Sequence, residues 1–368
     1  MIGCNRIGVA MACTVACVSV ALATPVAAKW TGVDPLPAAV ARPFSGFLSD
    51  LSFVVAGGSD FKDGKKVYSS DIYVRAGTWK KVGELPRAVA EGVSCETFMG
   101  LFCAGGTDGT SAFRDAFVLM QVGSGLEVRP LPPLSEPVTM GAAASDVYGS
   151  VAYGTKIYVV ASKKVYALDL ADQKGGWSIV GEIPGPARSQ HVAAIQNGDQ
   201  KEKMLVVYGG FDTATKRPLH DGYGLVFSSG EWKKLSPLPE NTTTIGSAFL
   251  RSGHQHLLLI GGFGEKGWID RAINGSQESD PVKLGWQRKI LAYNCVTDAW
   301  CEYGEIAEWD KPRCGAAAGI VQGKTPEQYL LLVAGGEIAP KLRTTGVSGG
   351  TFSKTGKFGA TAWAVVGV

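Results

Sequence analysis

Five apolar stretches of this chain end in the same dipeptide, at Gly57-Gly58, Gly105-Gly106, Gly209-Gly210, Gly261-Gly262 and Gly335-Gly336. The second glycines are separated by 48, 104, 52 and 74 residues. The interval of 104 is two periods with a degenerate copy inside it, where Lys156-Ile157-Tyr158-Val159-Val160 supplies the strand but Ala161-Ser162 replaces the glycines. The interval of 74 is one period enlarged by an insertion between Gly264 and about Trp286. Six units of about 50 residues therefore account for the chain from residue 29 onward.

Each unit repeats one order of signals. A small-residue strand such as Gly315-Ala316-Ala317-Ala318-Gly319 comes first, followed by the apolar strand that enters Gly-Gly. A third strand bears an aromatic, at Tyr73, Phe117, Tyr166, Tyr223 or Tyr293, and a fourth carries Trp79, Trp177, Trp232 or Trp300, often closed by Leu-Pro or Ile-Pro. Short strands separated by turn signals make four-stranded antiparallel sheets. Such a sheet has two apolar faces and cannot bury both alone, whereas a ring of sheets buries each against its neighbours. The period and the order together predict an all-β, six-bladed kelch-type β-propeller. Lys29 to Pro37 reads as a fourth strand without predecessors, and the last unit lacks its Trp strand, so pairing the first strand with the last blade would close the ring.

The N-terminus reads as a signal peptide over residues 1–28: Arg6, an apolar stretch from Ile7 to Ala23, then small residues ending in Val26-Ala27-Ala28. That predicts an exported, periplasmic chain with one propeller domain over residues 29–368 and no stable membrane span. Five cysteines remain after cleavage, Cys95, Cys103, Cys295, Cys301 and Cys314. Cross-strand bridges are open for Cys95 with Cys103 and for Cys295 with Cys301, and burial as small hydrophobes is the equal alternative. No CxxC or His/Cys cluster suggests a metal. With a formal charge of +3 and no Lys/Arg tract, the chain lacks the basic stripe of a nucleic-acid binder.

The residue after Gly-Gly is Ser59, Thr107, Phe211 and Phe263 in four units and Glu337 in the last. Arg343 follows six residues on, across a loop containing Ala339-Pro340 that can return it to the same mouth. A carboxylate and a guanidinium in one concave site can move a proton and hold an anion. Arg42, Arg87, Arg188 and Arg313 precede the first strands of their units and could form a cationic ring, or serve as ordinary ion pairs. Arg188, followed by Ser189-Gln190-His191, and Arg313, which opens the unit of Glu337, are the stronger pocket candidates. His191 could relay a proton or act as a structural donor.

Val54 to Phe61 with Lys65-Lys66-Val67-Tyr68 and Asp71-Ile72-Tyr73-Val74 resembles the opening of the cyclically permuted mutarotases, kelch proteins of the N-acetylneuraminate epimerase family. Trp286 to Asn294, Arg313 to Ala317, Gly336-Glu337 and Arg343-Thr344 also fall in the order of that family. The resemblance implies interconversion of α and β anomers of N-acetylneuraminate, with Glu337 as proton acceptor and Arg343 in the site. It leaves Arg188, Arg313 and Lys289 as weaker substrate-binding candidates, implies no cofactor, and suggests a homodimer. The sequence departs from the family in Ala161-Ser162, in Gln287-Arg288 where an Asn is common before Lys289, and in a C-terminal extension.

Two other classes compete. A non-catalytic kelch propeller that binds a protein or glycan explains the fold but not the placement of Glu337 and Arg343. A sialidase would carry repeated Ser-x-Asp-x-Gly-x-Thr-Trp boxes, which are absent, and a copper oxidase would need a Tyr/His set that His191, His220, His254 and His256 do not obviously supply.

Overall fold

The computed structural model describes residues 30–123, 125–148, 151–197, 202–253, 255–306, 309, 311–322, 328–355 and 362–365. The expected signal peptide, together with Cys4, Cys13 and Cys17 within it, lies outside the described residues, as does His254. Among the described residues no helix is long and apolar enough to cross a membrane.

Among the described residues, five four-stranded antiparallel sheets and a sixth of five strands follow one another around a central channel. Blade 1 runs Phe44–Phe47, Phe53–Ala56, Asp71–Ala76 and Thr78–Glu84 from the axis outward. Blades 2 to 5 repeat this order over residues 93–130, 142–182, 192–235 and 248–305. Blade 6 is made from both ends of the chain. Its strands Ala317–Gln322, Gln328–Ala334 and Val347–Thr355 are completed by Trp30–Val33, with Trp30 opposite Gly350 and Val33 opposite Val347. The closure expected from the unmatched terminal strands is the one observed. Ala362–Val365 continues the same edge, pairing with Phe352 to Thr355, and so gives the C-terminal extension a place in the sheet.

Alternation along the second strands explains why a ring is needed. Val54 and Ala56 pack with Leu101 and Cys103 of blade 2, whereas Phe53 and Val55 pack with Leu332 and Ala334 of blade 6. Every blade-to-blade interface carries such a cluster, six in all among the described residues. The fourth-strand tryptophans plug these seams: Trp79 meets Phe53 at 6.4 Å, Trp177 meets Phe102 at 5.9 Å and Trp300 meets Tyr208 at 5.0 Å. Blade 3 keeps the strand order despite lacking Gly-Gly. Ser162 takes the left-handed conformation there at φ 55°, in a tight turn between Ala161 and Lys164.

No disulfide joins the described cysteines; all five are free thiols. Register explains this. Cys95 lies opposite Phe102 and Cys103 opposite Ser94, so the two cysteines point to opposite faces of their sheet. Cys301 lies opposite Ala292, three residues from Cys295 along the neighbouring strand.

Because strands alternate in direction, the loop entering the first strand and the loop leaving the second lie at the same end of every blade. All Gly-Gly pairs, Glu337 and the arginines that precede first strands are thus gathered at one end of the channel.

The closing strand is expected to be a large contributor to stability, since Trp30 is 3% exposed within the cluster joining blades 5 and 6. Trp30→Ala should cost about 3–5 kcal/mol in denaturant unfolding, whereas Val122→Ala at an exposed position should change stability by no more than ~0.5 kcal/mol. A Trp30→Ala loss below ~1 kcal/mol would show that the ring does not depend on this closure.

Candidate active site at the rim of the channel

The rim is organised by six residues, one per blade, immediately before the first strands: Arg42, Glu91, Met140, Gln190, Gly246 and Gly315. All six are left-handed, with φ from 50° to 69°. Their backbones form a girdle around the mouth. Gly315 N donates to Gly246 O at 2.7 Å, Arg42 N to Gly315 O at 2.7 Å, and Glu91 N to Arg42 O at 3.0 Å. Met140 N donates to Glu91 O at 2.7 Å, and Gln190 N to Met140 O at 2.8 Å. The remaining gap is bridged by the Thr244 hydroxyl, which donates to Gln190 O at 3.0 Å. Four of these residues are not glycine, a strained choice that persists where surrounding structure fixes it. Inside the girdle, Arg42 Nη2 donates to Gln190 Oε1 at 2.9 Å, a crossbar between blades on opposite sides of the channel. The channel itself is a cavity of about 300 Å³.

Glu337 is pinned just outside this girdle. Its N–H donates to Cys314 O at 2.8 Å, and Cys314 N–H returns a bond to Glu337 O at 3.0 Å. Ser59 with Ala41 and Thr107 with Ala90 make the same paired backbone bonds in blades 1 and 2. The repeat therefore prescribes the backbone at position 337 and leaves its side chain free to differ. Glu337 is not a channel-lining residue, although Gly315 and Ala316 beside it are. It follows the second strand of its blade, Gln328–Ala334, whereas the channel is lined from the first strands.

Arg343 is brought to Glu337 by a two-strand turn, Glu337–Ala339 with Leu342–Arg343, in which the two residues are direct partners. Arg343 Nη1 lies 2.7 Å from Glu337 Oε1, and the two side chains are 5% and 17% accessible. The guanidinium also stacks over Phe61 at 5.0 Å, on the hairpin that follows Gly57-Gly58 in blade 1. Nε and Nη1 of Arg343 are buried without an aligned hydrogen-bond partner among the described residues. The contact with Glu337 is thus a charge pair rather than a well-directed hydrogen bond, and donor capacity remains for a ligand.

Cys314 marks the point where charges converge. Burial pushes its thiol up to about 12, and Arg42, Glu337, Arg343 and Arg271 all act on it electrostatically. Two glycines make this convergence possible. A Cβ on Gly246 would fall 2.0 Å from Cys314 Sγ, and one on Gly315 would fall 2.9 Å from Arg42 Cγ. An aromatic wall of Phe211, Phe263 and Trp286 stands beside Cys314.

The other sequence candidates divide. Arg313 is buried near the pair, donating to Gly346 O at 2.7 Å and stacking over Trp309 at 4.9 Å. Arg188 occupies the matching place in blade 4, but its fork is closed on Asp221 at 2.8 and 2.9 Å and it is 1% exposed. Lys289 pairs with Glu302 at 2.6 Å toward the outer strand of blade 5. Neither is brought to Glu337. The four arginines form no cationic ring: Arg87 pairs with Asp115 at 3.1 Å, and only Arg42 reaches over the channel. His191 is buried, its Nε2 donating to Val160 O at 3.0 Å while Nδ1 has no partner. Burial holds its pKa down at about 4, aided by hidden proximity to the Arg188 charge, so it is a neutral structural donor at pH 7. Among the described residues no three His, Cys, Asp or Glu side chains converge as a metal site.

Phe61, which lies under the Arg343 guanidinium, is not singled out by the sequence. It comes from the neighbouring blade, some 280 residues away from Arg343 in sequence.

The arrangement defines a kelch-type propeller with a carboxylate–guanidinium pair at the channel rim. The sequence model of the N-acetylneuraminate epimerase family matches residues 132–366, and the chain belongs to that family. It is 29% identical over 248 residues to the N-acetylneuraminate epimerase of Pasteurella multocida, covering 61% of this chain and 60% of that protein. It is 31% identical over 211 residues to the enzyme of the same name from Haemophilus influenzae strain 86-028NP, covering 52% of each. The chain thus spans between half and three fifths of the relatives it matches. The solved structure of YjhT superposes with a TM-score of 0.62 at 15% identity, over 90% of this chain and 99% of that one, a likeness of fold.

The environment of His191 has a pH consequence. Its folded pKa lies below the ordinary 6.5, so the unfolded chain takes up the proton first as pH falls. Its contribution should be complete above about pH 6.5 and decline from there toward about pH 4. His191→Gln should flatten the pH dependence of the unfolding free energy across that window; an unchanged slope would contradict the buried, neutral assignment.

Proposed function

We propose that this protein is an isomerase that interconverts the α and β anomers of N-acetylneuraminate. The observation that carries this reading is the Glu337–Arg343 pair: an acid found at none of the other post-Gly-Gly positions, pinned by the repeat backbone and faced by a guanidinium at 2.7 Å. Family membership supports the substrate class.

Mutarotation needs a proton removed from the anomeric hydroxyl and a proton delivered to the ring oxygen as the ring C–O bond breaks. Rotation about the bond next to the freed carbonyl and closure from its other face give the second anomer, with the protons returned. Glu337 is the base for the hydroxyl proton. Its backbone is fixed by Cys314, and its carboxylate is oriented by Arg343. Arg343 is in turn restrained by Phe61, so the pair is preorganised before a sugar arrives. The buried cluster of Phe211, Phe263 and Trp286 packs against Cys314 and so backs the segment to which Glu337 is pinned.

Proton NMR of freshly released α-N-acetylneuraminate tests this. The wild-type protein should speed equilibration, and Glu337→Gln should lose about 100-fold or more of that acceleration while keeping its thermal stability. Wild-type equilibration at the spontaneous rate would reject the activity and favour a binding propeller. Undiminished acceleration by Glu337→Gln would reject the base.

A further inference from the structure

Blade 6 departs from the repeat at two further positions, and both bear on the segment that carries Glu337. The first is Arg313. In blades 1, 2, 5 and 6 the N–H of the second glycine donates to the carbonyl of the residue two before the next girdle residue, respectively Val89, Val138, Arg313 and Val40, at 2.7 to 2.9 Å. Three of these are buried valines, and Arg313 is buried like them. Valine therefore meets the packing requirement of this position, and a guanidinium there carries a desolvation cost that packing alone does not offset.

The second departure is Gly346. The N–H of the first glycine donates to the carbonyl at the entrance to the third strand: Asp71, Asp115, Asp221, Lys289 and Gly346 in blades 1, 2, 4, 5 and 6, at 2.8 to 3.3 Å. The first four of these residues each form an ion pair through their side chains, with Lys81, Arg87, Arg188 and Glu302. Position 346 offers no side chain, and its φ lies outside the left-handed region, so the backbone does not call for glycine. Space does. A Cβ there would fall 2.7 Å from Arg313 Nη2 and 3.4 Å from Arg313 Cζ.

The two departures fit each other. Arg313 Nη1 donates to Gly346 O at 2.7 Å, and the same oxygen accepts from Gly335 N at 2.9 Å. Gly335 and Gly346 are the two ends of the segment that holds both Glu337 and Arg343. Thr344 N donates to Gly336 O at 3.0 Å, and Gly346 N to the Thr344 hydroxyl at 3.0 Å, so the neck of this segment is tied within itself and clamped by Arg313. The clamp is itself held: its guanidinium stacks over the buried Trp309 ring at 4.9 Å, and its carbonyl accepts from Gly262 N in blade 5. The next residue, Cys314, makes the paired backbone bonds with Glu337. Residues 313 and 314 thus grip the segment at its neck and at its acid.

We propose that Arg313 is a positioning residue: it clamps the neck of segment 335–346 and so sets the orientation of the Glu337–Arg343 pair, without touching the sugar. This rests on the mutarotase reading and assigns Arg313 to the frame of that site rather than to its substrate contacts.

The test is NMR equilibration kinetics with N-acetylneuraminate for wild type, Arg313→Lys, Arg313→Val and Gly346→Ala, each checked for folding by thermal melting, with calorimetric binding of N-acetylneuraminate to the same variants made in Glu337→Gln. Arg313→Val restores the residue of blades 1 to 3, and Gly346→Ala pushes the guanidinium off its carbonyl. Each should lower kcat by about 10- to 100-fold while changing KM and calorimetric affinity by less than about 3-fold. Arg313→Lys keeps one donor for Gly346 O and should recover part of the loss. A kcat within about 2-fold of wild type in folded Arg313→Val or Gly346→Ala overturns the positioning role and leaves the mutarotase reading standing. A loss confined to KM and affinity also overturns it, by making Arg313 a substrate ligand. If Arg313→Val does not fold, Gly346→Ala decides on the same criteria. A wild-type protein that leaves equilibration at the spontaneous rate overturns the mutarotase reading, and the positioning role with it.

Discussion

The structure depends on the hydrogen-bonded girdle at the mouth of the channel. In five of the six blades Gly-Gly brings the second strand back beside the lead-in to its own first strand, and that lead-in is tied to the next blade through a left-handed residue. Five links are backbone to backbone and the sixth passes through Thr244. Hydrophobic seams hold neighbouring blades together, but side-chain packing tolerates small slips. Directional bonds between main chains do not, so the girdle fixes how far each blade stands from the axis and therefore where each post-Gly-Gly residue points.

The site arises where the girdle is thinnest in side chains. Arg42, Glu91, Met140 and Gln190 put side chains into the mouth, whereas blades 5 and 6 contribute Gly246 and Gly315. Those two glycines admit Cys314 and Arg42 to positions that any Cβ would block. The aromatic cluster packs on Cys314, and the insertion helix packs on that cluster through Trp268, so both stand behind the segment to which Glu337 is pinned. Arg343 and Glu337 can be held rigidly there because each is anchored by an element the repeat already supplies.

Much of this was legible in the sequence, for a physical reason. A repeat must bury the same faces six times, so the blade count, the degenerate third unit, the insertion in the fifth and closure by the Trp30 strand could be read from recurring residues. Glu337 was visible because the other units supply its background, and Arg343 because a short turn can bring back a residue six positions on. What could not be read is what the repeat does not constrain. Arg188 and Arg313 look alike in sequence and occupy matching places, yet Asp221 closes the fork of one, while the other donates to Gly346 beside the site. Arg42 and Arg87 are not equivalent to them at all. Phe61 depends on how blade 1 meets blade 6.

In the proposed reaction the odd residue of the repeat, at position 337, meets the reacting centre of a sugar acid. A crystal structure of Glu337→Gln soaked with N-acetylneuraminate tests this most directly. The sugar should lie at the Gly-Gly end of the channel, its anomeric hydroxyl within hydrogen-bonding distance of the side chain at position 337. A sugar bound at the opposite end of the channel, or seated at the rim with its anomeric centre turned away from position 337, would contradict it.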